Sequence, residues 1–90
     1  MKKNIIITGA SRSIGKAAVE FLSQQSEGKI LAIARSKENL EKLKNTLNSK
    51  AQLLIYPFDL RSGDFEKLSQ LIKKEFSSID ILINNAGALY

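Results

Sequence analysis

Four short apolar runs alternate with three amphipathic stretches over almost the whole chain, and this alternation constrains the fold more than any other feature. Asn4-Ile5-Ile6-Ile7-Thr8 is β-branched and ends at Gly9, as a strand buried on both faces would. Ile14, Ala17, Ala18, Phe21 and Leu22 then repeat at helical spacing and predict one apolar helix face, closed near Gly28 as its C-cap. Lys29 to Ala34 reads as a second buried strand. Ser36 is placed to cap a second helix carrying Leu40, Leu43 and Leu47. Leu53-Leu54-Ile55-Tyr56 is a third strand, stopped by Pro57, which cannot donate to a ladder. After the Ser62-Gly63-Asp64 turn, Phe65, Leu68, Leu71, Ile72 and Phe76 form a third helical face, and Ile79 to Asn84 reads as a fourth strand.

Apolar strands joined by helices demand a parallel sheet, because each crossover must return the chain to the same end. Right-handed crossovers place strands two and three to one side of the first, and the reversal places strand four on the other. The expected architecture is therefore α/β, a doubly wound parallel sheet of order 3-2-1-4 with three crossover helices, filling the 90 residues as one unit. The first two helices should cover one sheet face and the third helix the other. Strand four would then present an open edge and uncovered apolar side chains, conditions for self-association.

Composition removes several chemistries. With no cysteine there are no disulfides, zinc thiolates or thiol nucleophiles, and with no histidine there is no Ser-His-Asp triad. Met1-Lys2-Lys3 followed by Ile5-Ile6-Ile7 is too short for a signal peptide or a membrane span, so a cytoplasmic protein without membrane contact is expected. The net charge of +5 is concentrated in residues 1–50, which hold ten Lys/Arg against four Asp/Glu. The leucines at 40, 43 and 47 leave Lys37, Glu38, Glu41, Lys42 and Lys44 on the other faces of their helix, as on an ordinary solvated surface. Aromatic interleaving of the kind used on single-stranded nucleic acid is absent, and no nucleic acid partner is expected. Asp59, Asp64 and Glu66 lack a recognisable metal-ligand spacing.

The chemistry concentrates at the ends of the strands. Thr8-Gly9-Ala10-Ser11-Arg12-Ser13-Ile14-Gly15 joins the first strand to the first helix. Glycines there let the backbone turn sharply and approach a ligand, and the helix N-terminus behind them suits a pyrophosphate. Where an NAD-selecting protein usually carries a carboxylate, the second strand ends in Ala34-Arg35-Ser36. A forked cation at Arg35, with Arg12 nearby, favours a ribose 2′-phosphate. Asp59-Leu60 follows the third strand, where the carboxylate either accepts from an adenine amine or caps the turn at Arg61-Ser62. Asn84-Asn85-Ala86-Gly87 closes the fourth strand with amides that can bond neighbouring strand ends and a glycine that permits close approach to a ribose.

Taken together these segments resemble the short-chain dehydrogenase/reductases. Thr8 to Gly15 is similar to that family's Thr-Gly-x-x-x-Gly-x-Gly turn, Asp59-Leu60 to its adenine-pocket pair, and Asp80 to Gly87 to its Asn-Asn-Ala-Gly segment, in the family's order and spacing. The resemblance implies a Rossmann fold and carbonyl or alcohol oxidoreduction on a small molecule by a homo-oligomer. It implies a dinucleotide site built from Gly9, Ser11, Arg12, Ser13, Ile14, Gly15, Arg35, Ser36, Asp59, Leu60, Asn85, Ala86 and Gly87. Ala34-Arg35 and Arg12 match the NADP-preferring pattern, so NADP(H) is expected ahead of NAD(H).

Two departures stand out. Ser13 replaces the family's second glycine, either crowding the pyrophosphate or offering it a hydroxyl. The family's Tyr-x-x-x-Lys pair is absent, since the tyrosines are Tyr56 and Tyr90. Residues 1–90 are thus expected to be the N-terminal part of an NAD(P)-binding Rossmann domain, with the catalytic residues beyond them, no metal, and no hydride transfer by this piece alone. A nucleotide-sensing Rossmann module without reductase activity is the alternative from another class.

Overall fold

The computed structural model describes residues 2–11, 13–47 and 51–85, the Ser13 side chain excepted; Arg12, Ala86, Gly87 and Tyr90 lie outside them. Seven elements follow in order: β1 (Ile5–Thr8), α1 (Ser13–Gln25), β2 (Lys29–Ala34), α2 (Lys37–Thr46), β3 (Gln52–Pro57), α3 (Phe65–Glu75) and β4 (Ile81–Asn84). All strand pairs are parallel, and the sheet order is β3-β2-β1-β4, as the alternation predicts. In register, Ile5 lies between Ile30 and Ile81, and Thr8 between Ile33 and Asn84.

The period of two divides the core. Ile5, Ile7, Ile30, Ala32, Ala34 and Leu53 face α1 and α2, meeting Val19, Leu40 and Leu43. Ile6, Leu31 and Ile33 face α3, meeting Leu68, Phe76 and Phe58. Ile5, Ile7, Ile30 and Leu31 are wholly buried, each worth about 1.5–3 kcal/mol relative to exposure. Capping fixes where two helices start: the Ser36 hydroxyl accepts from the Asn39 N–H, and Asp64 accepts from the N–H groups of Glu66 and Lys67. The end of α3 is tied to β2 by Lys29, whose Nζ donates to the Glu75 carbonyl at 2.7 Å.

The structure corrects four readings. The buried face of α1 is not Ile14-Ala17-Ala18-Phe21-Leu22. Ile14 and Phe21 are 73% and 65% exposed, and Ala17 is exposed with them. The inner face is Gly15, Val19, Ser23 and Ser26, with Ala18 and Leu22 half-buried, because the helix start lies flush on the turn after β1 and only small side chains fit beneath it. The helix does not close on Gly28. It ends at Gln25, Ser26 N–H still bonds the Leu22 carbonyl, and Gly28 is tucked against the Lys3 backbone. The Ser26 hydroxyl holds that junction, donating to the Lys3 carbonyl and accepting from the Lys3 and Gly28 N–H groups. Pro57 is the last residue of β3 rather than a stop before it, which an edge strand tolerates. Finally, β4 starts at Ile81 and Ile79 is exposed, because Asp80 is drawn onto Asn4: its carboxylate accepts from the Asn4 N–H at 2.8 Å.

On β4, Ile81 and Ile83 pack toward the α1/α2 core, while Leu82 on the α3 side is 64% exposed. Among the described residues, no helix is long and apolar enough to cross a membrane.

Candidate dinucleotide site

The parallel sheet brings the ends of β1, β2, β3 and β4 to one edge, where the loops that carry the candidate residues emerge. The centre of that edge is a knot between β1 and β4. The Thr8 hydroxyl donates to the Asn84 side-chain oxygen at 2.9 Å and accepts from the Asn85 N–H at 3.0 Å. The Asn85 amide donates to the Gly9 carbonyl at 3.4 Å. Gly9 has φ 64°, a left-handed conformation that turns the chain away from β1, and Ala10 N–H then bonds the Ile33 carbonyl on β2. Gly15 presses on this knot: a Cβ there would overlap the Gly9 carbonyl and stand 2.9 Å from the Asn85 amide nitrogen. The first turn of α1 is thereby held directly over the strand end. It contains no acidic residue.

A second grouping forms where β2 and β3 end. Phe58 N–H bonds the Ala34 carbonyl at 2.8 Å, bringing the Asp59 loop beside Arg35. Asp59 caps its own turn: its carboxylate accepts from the Arg61 N–H at 2.9 Å, and its carbonyl accepts from the Ser62 and Gly63 N–H groups. The Arg61 N–H donation holds the Asp59 carboxyl below the usual carboxylate range, with the nearby charges of Arg61 and Arg35 acting in the same direction. Arg35 itself is exposed on this edge. Leu60 is half-buried against the α3-side core, with the edge-on pair Phe58–Phe65 nearby in the same layer.

Of the residues expected at the site, the structure gathers Gly9, Gly15 and Asn85 in one knot and Arg35 and Asp59 in a second. The Ser36 hydroxyl is engaged as the α2 cap, Ile14 stands outward beside the first turn, and Ser11 lines a cleft between α1 and α2. The Thr8 hydroxyl organises the knot, a role that the motif beginning at Thr8 does not itself assign, since a threonine at a strand end carries no signal in hydrophobic periodicity. Lys16, Asn39, Lys42 and Thr46 line the cleft with Ser11, whereas spacing alone reads Lys42 as one more solvated charge. Among the described residues, no cluster of acidic side chains could hold a metal ion.

A family model described as short chain dehydrogenase matches residues 3–89. An NADP-dependent 3-hydroxy acid dehydrogenase of Schizosaccharomyces pombe is 36% identical over 88 residues, 94% of this chain and 34% of that protein. A short chain dehydrogenase from Bacillus anthracis superposes with a TM-score of 0.78 at 35% identity, covering 93% of this chain and 34% of its own. L-Sorbose reductase from Gluconobacter frateurii, solved with NADPH and L-sorbose, gives 0.83 at 27% identity, covering 97% and 34%. The chain thus spans about a third of the length of the curated relatives it matches. With a match over nearly every residue and the strand order, glycine turn and Asn84-Asn85 knot in place, this chain belongs to the short chain dehydrogenase family.

Proposed function

We propose that these residues form the cofactor-binding part of an NADP(H)-dependent oxidoreductase acting on a carbonyl or alcohol. The observation that carries this reading is the knot of Thr8, Gly9, Gly15 and Asn85, which sets the first turn of α1 at the sheet edge with no acidic residue in it. Backbone N–H groups and a positive dipole end in that position suit a pyrophosphate, and the residues present fit one. Gly9 to Gly15 would hold the pyrophosphate, Arg35 and Arg12 the 2′-phosphate, and Asp59 and Leu60 the adenine. Asn85, Ala86 and Gly87 would border the ribose next to the nicotinamide. When bound, the nicotinamide supplies hydride chemistry. The chain's own residues bind and orient it.

The proton donor for that chemistry belongs outside this segment. Tyr56 is stacked on Phe58 at 5.9 Å in the α3-side layer, away from the β1/β4 knot, and the sequence has no histidine or cysteine to take its place. The division into a binding part here and a catalytic part beyond residue 90 is part of the proposal, as are a homo-oligomeric state and a cytoplasmic setting. Titrating NADPH and NADH into the complete protein and into its Arg35→Ala variant tests the cofactor assignment. Loss of a charge-assisted phosphate contact should weaken NADPH roughly ten- to hundredfold, about 1.5–3 kcal/mol, and leave NADH unchanged. Equal affinity for both nucleotides in the unsubstituted protein overturns the preference.

A further inference from the structure

A cleft of about 170 Å³ runs between α1 and α2, lined by Ser11, Lys16, Asn39, Lys42, Leu43 and Thr46. Four of these come from one face of α2, at helical spacing i, i+3, i+4 and i+7. Leu43 is buried beneath it, while two ammonium groups, two hydroxyls and a carboxamide stand around its polar part. Among the described residues, no carboxylate lines it. The Thr46 hydroxyl is already engaged, donating to the Lys42 and Leu43 carbonyls, so the donors left to meet a ligand are Lys16, Lys42, Asn39 and Ser11. Ser11 belongs to the turn after β1 and Asn39 to the first turn of α2, just beyond Arg35 and Ser36. The cleft therefore shares the turn after β1 and the start of α2 with the residues to which the ribose phosphate is assigned.

One carboxylate guards it. Glu38 holds the Lys42 ammonium at 3.5 Å, in a pair whose side chains are 79% and 70% exposed. An exposed pair of this kind is weak and exchanges readily for a better anion. A phosphate monoester carries up to two charges and three acceptor oxygens, and competes well for a lysine.

We infer that this cleft is the outer half of the 2′-phosphate site, in which Lys42 exchanges Glu38 for the phosphate, Lys16 faces it from α1, and Asn39 donates to it. The inference rests on the nucleotide reading proposed above and adds specificity-determining residues to it. Glu38 then acts as a brake on phosphate binding. Its removal should improve binding, an effect that damage to the fold does not produce.

Calorimetric titration of the complete protein with 2′,5′-ADP and with ADP tests this. The protein should bind 2′,5′-ADP more tightly than ADP. Lys42→Met should weaken 2′,5′-ADP about fivefold, Glu38→Gln should tighten it about threefold, and ADP should respond to neither. The double variant should show no gain from Glu38→Gln, since the lysine it frees is gone. Unchanged 2′,5′-ADP binding in both single variants, with preference lost in Arg35→Ala, overturns the cleft assignment and leaves the NADP(H) reading standing. Equal affinity of the unsubstituted protein for the two nucleotides, or binding of neither, overturns both. If Lys42→Met fails to fold, the change at the exposed Glu38 decides alone: a gain confined to 2′,5′-ADP supports the assignment, and its absence rejects it.

Discussion

The first helix and the two that follow it all begin at the carboxyl edge of the sheet, yet they treat that beginning in opposite ways. At α2 the Ser36 hydroxyl accepts from the Asn39 N–H and Glu38 lies in the first turn; at α3 Asp64 accepts from Glu66 and Lys67, with Glu66 in the first turn. Both helices neutralise their positive ends with their own side chains. α1 begins Ser13-Ile14-Gly15-Lys16, with no acid, and is anchored through Gly15 on the Gly9 carbonyl. Two helices use their starts for stability. The start of α1 carries no acid of its own, as the proposed pyrophosphate site requires.

The largest test of this contrast is at Gly15. Gly15→Val should collide with the Gly9 carbonyl and the Asn85 amide, lowering unfolding free energy by more than about 2 kcal/mol and abolishing NADPH binding. The corresponding change at the exposed start of α2, Lys37→Val, should stay within about 0.5 kcal/mol. Urea denaturation of both variants gives the comparison, and equal losses would refute the anchoring role of Gly15.

Exchanging the two kinds of helix start gives intermediate effects. Asp64→Ala removes the α3 cap and should destabilise by about 1 kcal/mol without altering nucleotide affinity. Ile14→Glu, at an exposed position, supplies α1 with the acid it lacks. It should raise stability by roughly 0.3–1 kcal/mol while weakening NADPH about tenfold. Denaturation and titration must move in opposite senses for Ile14→Glu; a variant that gains both properties would show that the α1 start is not the anion site.

The smallest effect belongs to Asp59, whose carboxylate serves a turn rather than a helix. Its folded-state pKa is depressed, chiefly by the Arg61 N–H donation, so folding favours the ionised form. That contribution is complete above the carboxyl's unfolded value and disappears as pH falls through the lower folded value. The Arg61 amide resonance should therefore titrate in that acid window. Asp59→Asn should remove the titration and leave the helix starts unaffected.

How much of this was legible in the sequence varied with the kind of signal. The strand order followed from apolar runs alternating with helical stripes, because burial of Ile5–Ile7 and Ile30–Ile33 on both faces leaves few other arrangements. The rotation of α1 was not legible. Gly15, Ser23 and Ser26 lie inside because the helix sits close to the sheet, and periodicity counts only large apolar residues, which here point outward at Ile14 and Phe21. At the candidate site, the glycine turn, Arg35 and Asn85 could be named because their chemistry is tied to strand ends. The Glu38–Lys42 pair and the cleft beside it depend on how α1 and α2 approach each other, which no local pattern records.

The pairing of β1 with β4 has a consequence in time. Thr8 and Asn84 are hydrogen-bonded across 76 positions of sequence, so the central strand of the sheet acquires its second neighbour last. At roughly 5–20 residues per second, a nascent chain would carry β1 with one side unpaired for about 4–15 s after that strand is made. During that interval the β4-facing side of the Ile5-Ile6-Ile7 run is open to any other extended segment in reach, including its counterpart on a neighbouring ribosome.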